Sequence, residues 1–175
     1  MSKITELEYD QLSKEFGIPK VNIKKIVIVE SGGQGFAKDT GKIIIQFEPS
    51  WFKRKSPYTP SGKWSQNGVE RQTKEWEAFN DAFKKNQNAA MESTSVGLMQ
   101  VMGFHWKQLG FKSVGEMWDY AKKSEVNQLR LGLLFIRTNK KMFNAIVTGD
   151  WNTFAYYYNG AQYKKFDYAN RLEKA

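Results

Sequence analysis

The chain has no cysteine and a single histidine, His105. The first absence excludes disulfide scaffolds, thiolate metal sites and thiol nucleophiles. The second argues against Ser/His/Asp triads and two-histidine metal sites. Any bond-breaking chemistry must therefore lean on carboxylates. Only 4 prolines and 14 glycines occur in 175 residues, which excludes collagen-like and proline-rich chains. Long apolar runs are missing too. The longest, Ile26 to Val29 and Leu131 to Ile136, fall far short of the roughly 18 residues that mark a membrane-spanning helix. Met1 to Phe16 alternates acids, amides and apolar residues without the basic and apolar regions of a secretory signal. The expectation is a protein that does not span a membrane, made in the cytoplasm without a signal peptide and folded as one domain over residues 1–175.

Acids are the scarcer charge: 27 Lys and Arg face 18 Asp and Glu, a net charge of +9. Such a surface attracts polyanions, whether nucleic acid, anionic membrane or bacterial envelope. The basic residues are scattered, and their tightest group, Lys53, Arg54 and Lys55, does not make a DNA-reading element. With 12 Phe, 8 Tyr and 6 Trp, the chain can bury a sizeable core.

Most of the punctuation is helical. Thr5 and Glu8 form a capping box before Leu7, Leu12 and Phe16, with Gly17 as the stop. Ser113 and Glu116 repeat the device before Val114, Met117, Trp118 and Ala121. Val126, Leu129, Leu133 and Ile136 keep a core-helix rhythm, Asp150 caps a helix ending before Gly160, and Val69, Trp76, Phe79 and Phe83 mark another amphipathic helix. Val21 to Val29 is rich in β-branched residues and reads as strand or helix; Pro19 and the Gly32-Gly33 pair favour helix. Lys42 to Glu48 alternates as a strand does, with Ile43, Ile45 and Phe47 on one face and Ile44, Gln46 and Glu48 on the other. The expected fold class is mainly α, a single helical domain with a small β-hairpin element after the second helix.

Two carboxylates stand out. If residues 19–30 are helical, Glu30 ends that helix directly after an apolar run, and the negative helix end and the missing water both raise its pKa. An acid kept protonated near neutrality is what glycosidic cleavage needs, because the sugar oxygen leaves poorly unless protonated. On spacing alone, a solvent-facing Glu remains the alternative. Glu48 is the second carboxylate, either a water-orienting base or a nucleophile, against the alternative of an ion pair with Lys53, Arg54 or Lys55. Asp39 reads as a turn former. The run Tyr156, Tyr157, Tyr158, Asn159 points in several directions on a helix, so at least one ring suits a sugar face; Tyr156 reads as core. His105 reads as a packing or surface residue, and Met99 and Met102 as core filler.

In order along the chain, Glu30-Ser31-Gly32-Gly33 with Gly35-Phe36, then Phe47-Glu48, then Ala89 to Gly103 containing Ser95, Gly97, Leu98, Gln100, Met102 and Gly103, then Ser124-Glu125 with Gln128-Leu129, and finally Asp150-Trp151, Phe154-Ala155 and Tyr158-Asn159-Gly160 make five blocks. From Ile26 to Ala175 the chain resembles the N-acetylmuramidase family of bacteriophage endolysins and related cell-wall enzymes. The resemblance implies a lysozyme-like fold that cleaves the β-1,4 bond between N-acetylmuramic acid and N-acetylglucosamine in peptidoglycan. It makes Glu30 the catalytic acid, with Glu48 as the second catalytic candidate and Gln46, Gln100, Tyr158 and Asn159 along the glycan groove. It implies no metal and no organic cofactor. The partners it implies are peptidoglycan glycan strands and the anionic bacterial envelope, with no specific nucleic acid, for a monomer released to the wall through a membrane pore. Pro49 and Ser50 stand where the family commonly has Arg-His, which bears on the role of Glu48; Val96 for Trp and Ala161 for Pro bear on groove shape. The same blocks are similar to lytic transglycosylases, which break this bond with one Glu and form an anhydro sugar. A non-enzymatic basic module for nucleic acid or cell wall is the reading from another class.

Overall fold

The expected helix punctuation becomes helix termini in the structure, a computed structural model that describes residues 3–56, 64, 71–161 and 163–175. In α1 (Glu6–Phe16) the Thr5 side chain accepts from the Glu8 N–H while Glu8 accepts from Thr5, and Gly17 closes the helix at φ 67°. Leu12 and Phe16 are buried, but Leu7 is 66% exposed. Leu7 lies five residues before Leu12, an angular step that carries it off the stripe. The ambiguous segment folds as α2 (Lys20–Ser31), preceded by Pro19 and ended by Gly32 at φ 60°. Its β-branched residues split by face: Ile23, Ile26 and Val27 are buried while Val21 and Ile28 are exposed, so tertiary packing overrides a weak strand preference. Glu30 follows at the next position of the buried stripe, where the 3.6-residue period calls for an apolar side chain.

The β-element gathers segments far apart in sequence. Strand β1 (Ile45–Phe47) pairs antiparallel with β2 (Thr94–Val96), which turns back into β3 (Val101–Met102), giving the order β1-β2-β3. Before β1 the chain folds on itself through a single bridge between Phe36 and Ile43. Alternation holds: Ile43, Ile45 and Phe47 are buried, while Ile44, Gln46 and Glu48 are half-buried. The outer edge of β1 is covered by α4 (Gln72–Lys85). Gln72 brackets Ile45 through both its N–H and its C=O at 2.9 Å, and buried Glu75 accepts from the Phe47 N–H at 2.8 Å. Two side chains thus satisfy backbone groups that an edge strand would otherwise expose.

The remaining helices are α3 (Pro49–Lys55), α5 (Gln87–Glu92), α6 (Val114–Lys123), α7 (Glu125–Arg137), α8 (Lys140–Thr148), α9 (Trp151–Asn159) and α10 (Tyr168–Lys174). Ser113 caps α6 by accepting from Glu116, but Glu116 reaches back to the Lys112 N–H, so the box is shifted by one residue. Met117, Ala121, Leu129, Leu133, Ile136, Ile146 and Phe154 form the centre of the core. Trp76 and Phe83 pack against that core and Phe79 is inside it; Val69 lies outside the described residues. On α9 the buried face is Trp151, Phe154 and Ala155, and Tyr156, read from the sequence as core, is instead 48% exposed. It sits one helical step beyond that face. No helix among the described residues is long and apolar enough to cross a membrane.

Candidate active site

The last turn of α2, the β2–β3 turn, α7 and the end of α9 meet around a cavity of about 250 Å³. Glu30 enters it from α2, with Tyr158 and Asn159 from α9, Phe135 from α7 and Gln100 from the turn; Met99, Val101, Met102 and His105 complete the lining. The Glu30 Oε1 atom is buried with no hydrogen-bond partner. Burial pushes the carboxyl pKa up to about 8, and the Arg171 guanidinium opposes that rise only in part. Arg171 is itself occupied, donating to the Val29 carbonyl at 3.1 Å. Beside Glu30, the Tyr158 hydroxyl donates to the Met99 carbonyl at 2.9 Å, and its ring stacks on Phe154 with centroids 5.2 Å apart. Burial, then the Glu30 charge, drives the Tyr158 pKa far above the ordinary phenol value, so it stays a neutral donor. The result is a protonated carboxylic acid at neutral pH, held against apolar walls with one oxygen unengaged.

Two loops position this acid, and buried side chains hold both. The β2–β3 turn places Gly97 at φ 71° and Gln100 at φ 49°, in the left-handed region that non-glycine residues seldom occupy. The Gln100 amide stabilises that geometry, accepting from the Ser95 hydroxyl and donating to the Gly97 carbonyl, each at 2.8 Å. Gln128 of α7 is buried; it accepts from the Leu98 N–H at 2.8 Å and donates to the Ala121 carbonyl at 3.0 Å. Its side chain fills the space where a Cβ on Gly35 or Gly97 would lie, at 1.9 and 2.7 Å. Glu125, one turn earlier, accepts from the Gly35 N–H at 2.9 Å. The Ser-Glu-x-x-Gln segment is therefore a clamp joining the loop after Glu30 to the turn that carries Gln100.

Of the residues singled out from the sequence, Glu30, Gln100, Tyr158 and Asn159 come together at the cavity; Gln46 and Glu48 are not among its lining. Gln46 stands opposite Ser95 in the β1–β2 register. Glu48 shares its strand face, precedes α3 without capping it through its side chain, and donates its N–H to the Ser93 carbonyl at 2.9 Å. Burial raises the Glu48 pKa. The ion pair considered for Glu48 does not form: Lys55 pairs with Glu92 at 2.8 Å, and Arg54 lies over the Trp51 ring at 4.9 Å.

Sequence reasoning missed several contributors. His105 packs between Phe104 and Phe135 at 4.4 and 4.8 Å, and burial lowers its pKa, so it borders the cavity as a neutral ring. Met102 is half-buried and faces the same space, whereas Met99 is core. Phe135 and Arg171 carried no local signal, because only the packing of α7 and α10 brings them to α2. Among the described residues no group of three or more His, Asp or Glu side chains is placed to hold a metal ion.

A neutral carboxylic acid, recessed at a helix end beside a small antiparallel sheet in a mainly helical domain, matches the general-acid half of a lysozyme-type glycoside hydrolase. Comparison with known proteins narrows this. The N-acetylmuramidase family model matches residues 20–175, and the chain belongs to that family. As a member it is a peptidoglycan hydrolase. The crystal structure of Burkholderia AP3 phage endolysin matches with a TM-score of 0.87 and 28% sequence identity, over 97% of this chain and 68% of that one. No curated protein sequence matches the chain.

Proposed function

We propose that the protein cleaves the β-1,4 bond between N-acetylmuramic acid and N-acetylglucosamine, with Glu30 as the general acid. The observation that carries this is the buried, unpartnered Glu30 Oε1 in an open cavity, with a pKa near 8. In that state the carboxyl donates its proton to the bridging oxygen as the bond breaks, and the positive charge growing on the sugar ring favours the carboxylate that remains. Tyr158 and Phe135 wall the acid off from water, and Gln100 and Asn159 offer amides along the groove. Glu48, on the same strand face as Gln46, is the candidate for orienting the attacking water. The match to a phage endolysin supports extending the proposal to lysis of a bacterial host. In that setting the enzyme reaches the wall from the cytoplasm through a membrane pore.

The test is clearance of purified peptidoglycan by the parent and by Glu30→Gln, which keeps shape and removes the acid. Loss of activity by a factor of about 10³ or more is expected, as for a positioned general acid acting with the site intact. Equal clearance would reject the assignment. One observation favours a second reading: Glu30 is the only carboxylate among the described cavity-lining residues. A single Glu suffices for lytic transglycosylation, in which it protonates the leaving oxygen and then takes a proton back from the muramyl C6 hydroxyl as that oxygen closes on C1. Masses of the released fragments separate the two, since anhydro ends are lighter by one water.

A further inference from the structure

The cavity at Glu30 is smaller than the ~300 Å³ at which sites for drug-sized ligands begin, at about 250 Å³. It has room for about one sugar ring. A glycosidic bond has a ring on each side, so a polymer cut here must continue over surface outside the cavity. One surface leads away with suitable chemistry. Tyr158 and Phe135 meet edge to face at 6.1 Å, Phe135 contacts His105 at 4.8 Å, His105 contacts Phe104 at 4.4 Å, and Phe104 contacts Trp51 of α3 at 4.6 Å. These rings make an unbroken path from the acid to α3, the helix that Glu48 precedes. All five are only partly buried.

At the far end of this path sit two cations. Lys55 lies over Phe104 at 5.8 Å and is already paired with Glu92. Arg54 lies over Trp51 at 4.9 Å, exposed, with no acidic partner among the described residues. A guanidinium stacked on a ring keeps its outward N–H fork free for a carboxylate. In peptidoglycan the lactyl carboxyl of each peptide-bearing muramyl residue is taken up in the amide to its stem, so the free carboxylates of such a strand lie on the peptide.

Resting on the muramidase reading above, we infer that Trp51 and Phe104 form a sugar subsite outside the cavity, and that Arg54 beside it binds a carboxylate of the stem peptide. The subsite selects peptide-bearing glycan strands over bare ones. Trp51 supplies the ring face and is indifferent to the peptide; Arg54 reads the peptide alone.

The experiment measures binding of two soluble probes in the Glu30→Gln background: glycan strands with intact peptide stems, and N-acetylglucosamine oligomers of the same length, which carry neither peptide nor carboxylate. Trp51→Ala weakens both by about tenfold, the scale of one lost aromatic stacking contact. Arg54→Gln weakens the peptide-bearing probe by about fivefold and leaves the peptide-free one unchanged, as for one partly exposed charge pair. Trp51→Phe, which keeps a ring, restores most of the Trp51→Ala loss. Arg54 is exposed, so its variant remains informative if Trp51→Ala unfolds. Unchanged affinity of Arg54→Gln for the peptide-bearing probe, or an equal loss on both probes, overturns the inference. Because binding is read without turnover, this failure differs from failure of the acid assignment, which would appear as hydrolysis by Glu30→Gln.

Discussion

Glu30 sits where the helical period asks for an apolar residue, and that misfit is the source of its raised pKa. The native state holds its proton up to about pH 8, whereas the unfolded chain releases it near 4.5. With the folded pKa raised, stability from this group is full below about pH 4.5 and is lost as pH climbs toward 8. The parent should lose on the order of a few kcal/mol relative to Glu30→Gln between those limits, visible in urea unfolding at pH 4.5 and pH 9. A slope of opposite sign would mean the carboxyl is ionised in the fold. With Glu30 as the proposed acid, kcat/KM for soluble glycan should fall above about pH 8 as it deprotonates, the descending limb of a bell-shaped profile. The burial and raised pKa of Glu30 were legible in the sequence because helix end and apolar run are both local. Its counterweights were not. Arg171 lies in the last helix and Phe135 in the seventh, and no local pattern announces that either will meet α2.

At the scale of elements, the cavity depends on close approaches that only glycine permits. Gly103, which opens the turn after β3, faces the backbone of α5, and a Cβ there would lie 1.9 Å from the Met91 carbonyl oxygen and 2.8 Å from its carbon. Backbone cannot rotate aside as a side chain would. Gly103→Ala should therefore cost about 3 kcal/mol or more, measured by denaturant unfolding, because α5 must shift bodily. Gly115, near the start of α6, has only ordinary neighbours at 3.7 and 3.9 Å. Gly115→Ala should stabilise by about 0.5–1 kcal/mol in the same measurement, since a helical alanine orders at less entropic cost. If the two variants behaved alike, packing at Gly103 would not be the cause. The sequence displayed most helices through their caps, as with Thr5, Ser113 and Asp150, and it displayed the alternation of β1 through Ile43, Ile45 and Phe47. It did not display the partner of β1, which lies some fifty residues on, nor the covering of its free edge by Gln72 and Glu75. Pairing is a long-range choice, and alternation records only which face is buried.

Across the whole molecule the excess of positive charge is spread over the surface and not gathered at the acid. Lys20, Lys24, Lys55 and Arg130 are taken up in ion pairs with Glu6, Asp10, Glu92 and Glu15, yet the chain keeps a net +9. A charge distributed in this way does not choose a bond; it raises the local concentration of enzyme on an anionic surface and is screened over about 10 Å at 0.1 M salt. Glu30, the proposed acid, lies by contrast inside a low-dielectric recess where salt screens little. The two contributions should therefore separate with ionic strength. Raising salt from about 0.05 to 0.5 M is expected to lower the rate on intact anionic cell walls several-fold, through weaker binding and a higher apparent KM. On short, peptide-free oligosaccharides of the muramyl–glucosaminyl repeat, at saturating concentration, kcat should change less than twofold over the same range. A parallel loss on both substrates would show that salt perturbs the site itself, and the distributed charge would then have no part in holding the enzyme on its polymer.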